Sequence, residues 1–158
     1  MPSDINHAAD LDALGLAPTL AEVMGLVFQS YGLEATPIEG AAPFGLGGAV
    51  AVIGFEGPRT GLVTLRLDGP GAEAMATSLL GGFPPESDAE RNDALGEWAN
   101  ISAGNLKTKA LDPLGDFRLG LPVVADREGP GSETPARLCY RLGELGSLEV
   151  ALILDKAD

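Results

Sequence analysis

Glu97 and Asn100 stand three residues apart in the stretch Asp93-Ala94-Leu95-Gly96-Glu97-Trp98-Ala99-Asn100-Ile101-Ser102-Ala103-Gly104-Asn105-Leu106-Lys107. A carboxylate can pair with a cation. An amide both donates and accepts hydrogen bonds without titrating. On a helix, at about 100° per residue, the two side chains are neighbours. Leu95, Ala99, Ser102, Leu106 and Ala110 then form a core stripe, while Glu97, Asn100, Gly104, Lys107 and Thr108 fall on the opposite side. Glycine inside a helix costs about 0.5–1 kcal/mol relative to alanine. Gly96 and Gly104 both carry that cost beside the polar pair, and a missing side chain lets another surface approach. On residue types alone, a solvated face with two packing glycines is the plainer reading.

Other chemistry is poorly provided for. His7 is the single histidine and lies near the start of the chain, so a Ser-His-Asp triad has no base where one is needed. No clustered His, Cys or carboxylates stand at metal-ligand spacing, so no metal site is expected. Cys139 is the single cysteine, which rules out an internal disulfide, and its place in Leu138-Cys139-Tyr140 reads as core. Gly45-Leu46-Gly47-Gly48 lacks the spacing of a dinucleotide loop, with Val at position 50. Asn100-Ile101-Ser102 matches a glycosylation sequon, but no signal peptide is recognised, so the match is chance.

The elements that must position the pair follow from periodicity and turn residues. Residues 1–16 read as a flexible tail and 17–158 as a single domain. Pro18-Thr19 opens a helix whose face is Leu20, Val23, Met24, Val27 and Phe28, bounded by Gly32 and Pro37. Ala49 to Phe55 and Gly61 to Leu67 are β-rich runs across a Gly/Pro turn, hence a hairpin. Ala72 to Leu80 is a second helix, stopped by Gly81-Gly82. Ser87 to Ala110 is the longest helix, with Ser87 as N-cap and Glu90 completing a capping box. Strands are expected at Phe117 to Ala125, Arg137 to Leu142 and Leu148 to Leu154. The order predicts an α+β fold, a mostly antiparallel sheet with helices packed on one face.

Bulk composition narrows the partners. The chain has 158 residues, 45% of them hydrophobic and 21% charged, enough for the core of one domain. Ten Lys and Arg against 23 Asp and Glu leave a net charge of -13. A phosphate-tracking nucleic-acid binder needs a basic face, which is lacking, and an anionic membrane surface is disfavoured on the same ground. A partner with a cationic feature is favoured. No apolar run approaches the roughly 18 residues of a membrane span, so a cytoplasmic protein is expected.

Gly96-Glu97-x-x-Asn100-x-x-x-Gly104-Asn105 on a long helix resembles the signature of the CheC/CheX/FliY phosphatases of bacterial chemotaxis. The run Ile53-Gly54-Phe55-Glu56-Gly57 with Gly61-Leu62-Val63-Thr64-Leu65 is similar to the hairpin of that family. So is Phe117-Arg118-Leu119-Gly120-Leu121-Pro122-Val123-Val124 to the strand that follows. CheC-like members carry two Glu-x-x-Asn helices and CheX-like members one. Here Glu22 is followed at three residues by Gly25, so one motif is complete and the resemblance is to CheX.

The resemblance implies a compact domain pairing as a homodimer through its sheet. It implies a substrate, a phosphorylated CheY-like response regulator that brings its own Mg²⁺, with no cofactor of this chain. Asn100 would orient the attacking water and Glu97 would pair with the regulator's active-site lysine. Gly104 would let the partner sit close, with Lys107 and Thr108 extending the contact face. Gly96 and Asn105 would be structural, Asn105 hydrogen-bonding backbone near the sheet. The alternatives are a response-regulator or flagellar-switch binding module of the same fold without chemistry, and an unrelated α+β domain whose helix matches by chance. The acidic, Pro/Gly-rich segment 126–136 has no counterpart in the resemblance.

Overall fold

The computed structural model describes residues 16–39, 48–125, 133–144 and 146–154. The tail and His7, the loop at Gly45 to Gly47 and residues 126–132 of the acidic segment lie outside them. Helix α1 spans Leu16–Ser30, α2 Gly69–Leu79 and α3 Asp88–Leu106. The strands are β1 Ala35–Ile38, β2 Ala49–Glu56, β3 Gly61–Leu67, β4 Arg118–Leu119, β5 Val123–Ala125, β6 Glu133–Leu142 and β7 Gly146–Leu154. They form one seven-stranded sheet in the order β1-β6-β7-β3-β2-β4, with β5 also on β2. Every pairing is antiparallel. The α+β architecture is as the element order predicted.

Strand alternation sends one side of the sheet to the helices. Ala51, Ile53, Val63, Leu65, Val150 and Leu152 on that side share a core with Val23 and Phe28 of α1, Met75 of α2 and Leu95, Trp98 and Ala99 of α3. The hairpin thus packs against the motif helix, which removes the chance-match reading. Tyr140 meets Phe28 edge-on, ring centres 4.9 Å apart, and its burial pushes the phenol pKa above the usual 10.0. Cys139 is buried as expected, but on the other side of the sheet, opposite Glu149 on β7.

Three expectations are corrected. The segment read as the end of the first helix holds β1, whose Pro37 stands at the sheet edge opposite Tyr140, where a missing N–H leaves no ladder bond unmade. The long helix keeps α geometry to Leu106 instead of Ala110. A π turn at Lys107–Leu111 and a 3-10 turn at Asp112–Leu114 complete it. The strand read as Phe117 to Ala125 is two strands. Phe55 pairs with Leu119 and Val52 with Val123. Gly120, Leu121 and Pro122 therefore stand against only Ile53 and Gly54, a bulge of one residue.

Candidate active site

Helix α3 is fixed at its start, along its buried side and at its end. Ser87 Oγ accepts the Glu90 N–H at 3.1 Å, and the Glu90 carboxylate accepts the Glu86 N–H at 2.7 Å. The box is thus closed one residue earlier than the simplest version, with both bonds satisfying helix-start donors. Asp88 and Glu90 in the first turn complement the helix dipole. Trp98 is fully buried and donates its indole N–H to the Met75 carbonyl at 2.7 Å. That bond sets the rotation of α3 about its axis, because an indole N–H buried without an acceptor would be costly.

With Trp98 inward, Glu97 and Asn100 face solvent, and Asp93 lies one turn before Glu97 on the same exposed side. At i, i+3 spacing their Cβ atoms are about 5–6 Å apart. Among the described residues neither Glu97 nor Asn100 has a side-chain partner. Their polar neighbours further along do. Asn105 donates to the Ile101 carbonyl at 2.8 Å, Thr108 to the Gly104 carbonyl at 3.1 Å, and Lys107 pairs with Asp112 at 2.9 Å. Asn105 therefore bonds backbone of its own helix from an exposed position, not backbone near the sheet. Thr108 and Lys107 belong to the π turn, and both are engaged within the chain.

The two glycines differ. A Cβ added at Gly104 would meet nothing within 4 Å, so no contact among the described residues explains the missing side chain. A Cβ at Gly96 would sit 3.6 Å from Pro122 Cβ and 3.9 Å from Val124 Cγ2, in ordinary contact with the bulged edge strand. That sets the bulged segment, through Pro122 and Val124, against the buried side of α3 at Gly96. Sequence reasoning took this segment as plain strand. The signal in reach was Gly120 and Pro122 within one run, which marks a bulge or an edge.

A helix interior has no spare N–H groups to cradle an anion. Among the described residues no group of three or more His, Cys, Asp or Glu side chains could hold a metal ion. Nor is any described helix long and apolar enough to cross a membrane. The arrangement offers a carboxylate for a cation and an amide for a water, with room at Gly104 for a second surface.

No curated protein sequence matches this chain. Solved structures do. CheX from Vibrio vulnificus superposes with a TM-score of 0.68 at 20% identity, covering 89% of this chain and 97% of that one. CheX of the CheX-CheY-BeF3-Mg complex from Borrelia burgdorferi gives 0.71 at 19% identity, covering 88% and 97%. FliY from Thermotoga maritima gives 0.50 at 17%, covering 96% and 87%. At these identities the likeness speaks for the fold. The sequence itself matches the family described as chemotaxis phosphatase CheX over residues 49–140, from the first strand of the hairpin through the motif helix into β6. With more than half of its length so matched, the chain belongs to the CheX family of chemotaxis phosphatases.

Proposed function

We propose that this protein hydrolyses the phosphoaspartate of a CheY-like response regulator, with Asn100 orienting the attacking water and Glu97 docking on the regulator's active-site lysine. The observation that carries the reading is that these two polar side chains on the exposed face of α3 have no partner among the described residues, while Asn105, Lys107 and Thr108 are tied up within the chain. The complex of CheX with CheY, BeF3 and Mg from Borrelia burgdorferi supports the class of partner.

The chemistry asks little of this chain. An acyl phosphate already has a good leaving group, so a general base is not required. Water attacks phosphorus, the bond from phosphorus to the aspartyl oxygen breaks, and the products are the regulator's carboxylate and inorganic phosphate. What lowers the barrier is a water held in line, the part an amide plays for phosphoryl transfer in GTPases. Glu97 is an anchor. A carboxylate beside a phosphoryl group is repelled unless a cation stands between, and the regulator's lysine is that cation. Mg²⁺ enters with the substrate, bound by the regulator. Gly104 leaves the opening through which the regulator's loops reach the pair. The reading carries with it a cytoplasmic location and a homodimer built through the sheet.

The test is the decay of phosphorylated receiver domains from the same genome, with and without the protein. Wild type accelerates decay of its cognate regulator. Asn100→Ala lowers that acceleration by about 10²-fold or more while regulator binding and folding stay intact, as substitution at an exposed site allows. Wild-type turnover by Asn100→Ala would rule out the water-orienting role. Binding without accelerated decay would make the protein a docking module of the same fold.

A further inference from the structure

We propose that Asp93 steers the regulator onto the Glu97–Asn100 face: its carboxylate speeds the arrival of the regulator's active-site lysine and fixes the end of α3 at which that lysine docks. The inference rests on the phosphatase reading and calls on no group of the partner beyond the lysine and the phosphoryl group already in it. Asp93 is exposed, and among the described residues its side chain has no hydrogen-bond or ion-pair partner. An exposed carboxylate needs no explanation by itself. This one stands where it gives the helix nothing.

The acids at the start of α3 serve the fold. Glu90 closes the capping box with Ser87, and Asp88 stands with it in the first turn. There the helix dipole favours negative charge, an effect that fades beyond that turn. Asp93 lies beyond it. Four residues further on is Glu97, and like charges at i, i+4 oppose each other. The helix thus keeps two carboxylates in line, each without a partner among the described residues, at a small cost in its own stability.

The order of the side chains gives the face a polarity. Asp93, Glu97 and Asn100 follow one another along the exposed side. At 1.5 Å per residue, Asp93 stands about 6 Å before Glu97 and about 10 Å before Asn100. Negative charge therefore occupies one end of the line and a neutral amide the other. Beyond Asn100 come Gly104 and then Lys107, whose charge Asp112 already matches at 2.9 Å. The substrate has a polarity of its own, a lysine ammonium and a doubly anionic phosphoryl group. With the lysine at Glu97 and the phosphoryl group at Asn100, the anion is carried away from Asp93. In the reverse register it meets two carboxylates. Charge arranged in this way acts chiefly on the rate of encounter and on register, and salt weakens it.

The experiment is steady-state turnover of the cognate phosphorylated regulator by wild type, Asp93→Asn, Asp93→Glu, Glu34→Gln and Asn100→Ala, at ionic strengths of about 0.01 M and about 1 M. Glu34 is exposed just before β1, at the sheet edge remote from α3, so Glu34→Gln makes the same change in net charge away from the face. Asp93→Asn raises KM to about three times the wild-type value at the lower ionic strength, where charges act over about 30 Å, and matches wild type at the higher, where they act over about 3 Å. Its kcat stays within about twofold of wild type at both. Asp93→Glu keeps the wild-type KM. A KM for Asp93→Asn that is unchanged at low salt, or no higher than that of Glu34→Gln, overturns the steering role and spares the phosphatase, which the loss of activity in Asn100→Ala tests separately. A raised KM that persists at high salt makes Asp93 a direct contact and also overturns steering. Failure of wild type on every regulator removes the phosphatase reading, and the steering with it.

Discussion

At the residue scale, function rests on which polar side chains the fold leaves unspent. The spacing of Glu97 and Asn100 is legible in the sequence, and so is their side of the helix. That neither has a side-chain partner among the described residues, while Asn105, Lys107 and Thr108 do, is not, because it depends on where Asp112 and the carbonyls of Ile101 and Gly104 come to lie. Gly104 carries the sharpest consequence. Nothing among the described residues needs its missing side chain, so Gly104→Ala should stabilise the protein by about 0.5–1 kcal/mol through helix propensity. The same methyl group would hold the regulator off the Glu97–Asn100 pair, and turnover should fall about 10- to 100-fold, as misplacement of reacting groups does. Urea denaturation and regulator decay, run on one preparation, read both effects. A variant more stable and equally active would show that the glycine serves no partner.

At the element scale, a few buried polar bonds hold the helices over the sheet. Asp68, buried at the end of β3, accepts the Gly71 N–H at 2.7 Å as N-cap of α2 and the Ser147 N–H at 2.9 Å from β7. The backbone is tight there, since a Cβ on Gly71 would meet the Ser147 carbonyl. Asp68→Ala loses a cap and strands a buried donor, a cost of about 2–4 kcal/mol, whereas Asp68→Asn keeps an acceptor and retains most of the stability. A loss under about 1 kcal/mol in the alanine variant, by denaturant midpoint, would contradict this account. Sequence periodicity recovers the elements that bury one clean face: α1, the hairpin, α3 to Leu106, and the core of β6 and β7. It misses β1 because Pro37 reads as a stop, and edge position is a tertiary fact. It misses the bulge because Phe117 to Ala125 is apolar but for Arg118, and alternation, the only clue to register, is weak there. The π turn leaves no mark in hydropathy, so Lys107 and Thr108 are projected from a helix that has by then changed pitch.

At the scale of the whole molecule, charge and the sheet pull in opposite directions. A net charge of -13 surrounds the chain with a negative potential, which draws in a partner offering a lysine and sets two copies of the chain against each other. The proposed homodimer must therefore come from apolar burial. The sheet side turned away from the helices supplies it, with the exposed Val123 facing Val52 across β5 and β2, and Leu62 nearby on β3. The sign of the salt effect follows. Screening length falls from about 30 Å at 0.01 M to about 8 Å at 0.15 M ionic strength, so repulsion between copies weakens as salt is added while burial of apolar surface does not. Light scattering should give the mass of two chains at the higher ionic strength and, on dilution, a shift toward one chain at the lower. One-chain mass throughout would remove the homodimer. A dimer that dissociates as salt rises would mean that opposite charges hold the copies together, and Val52 and Val123 would no longer be its contact.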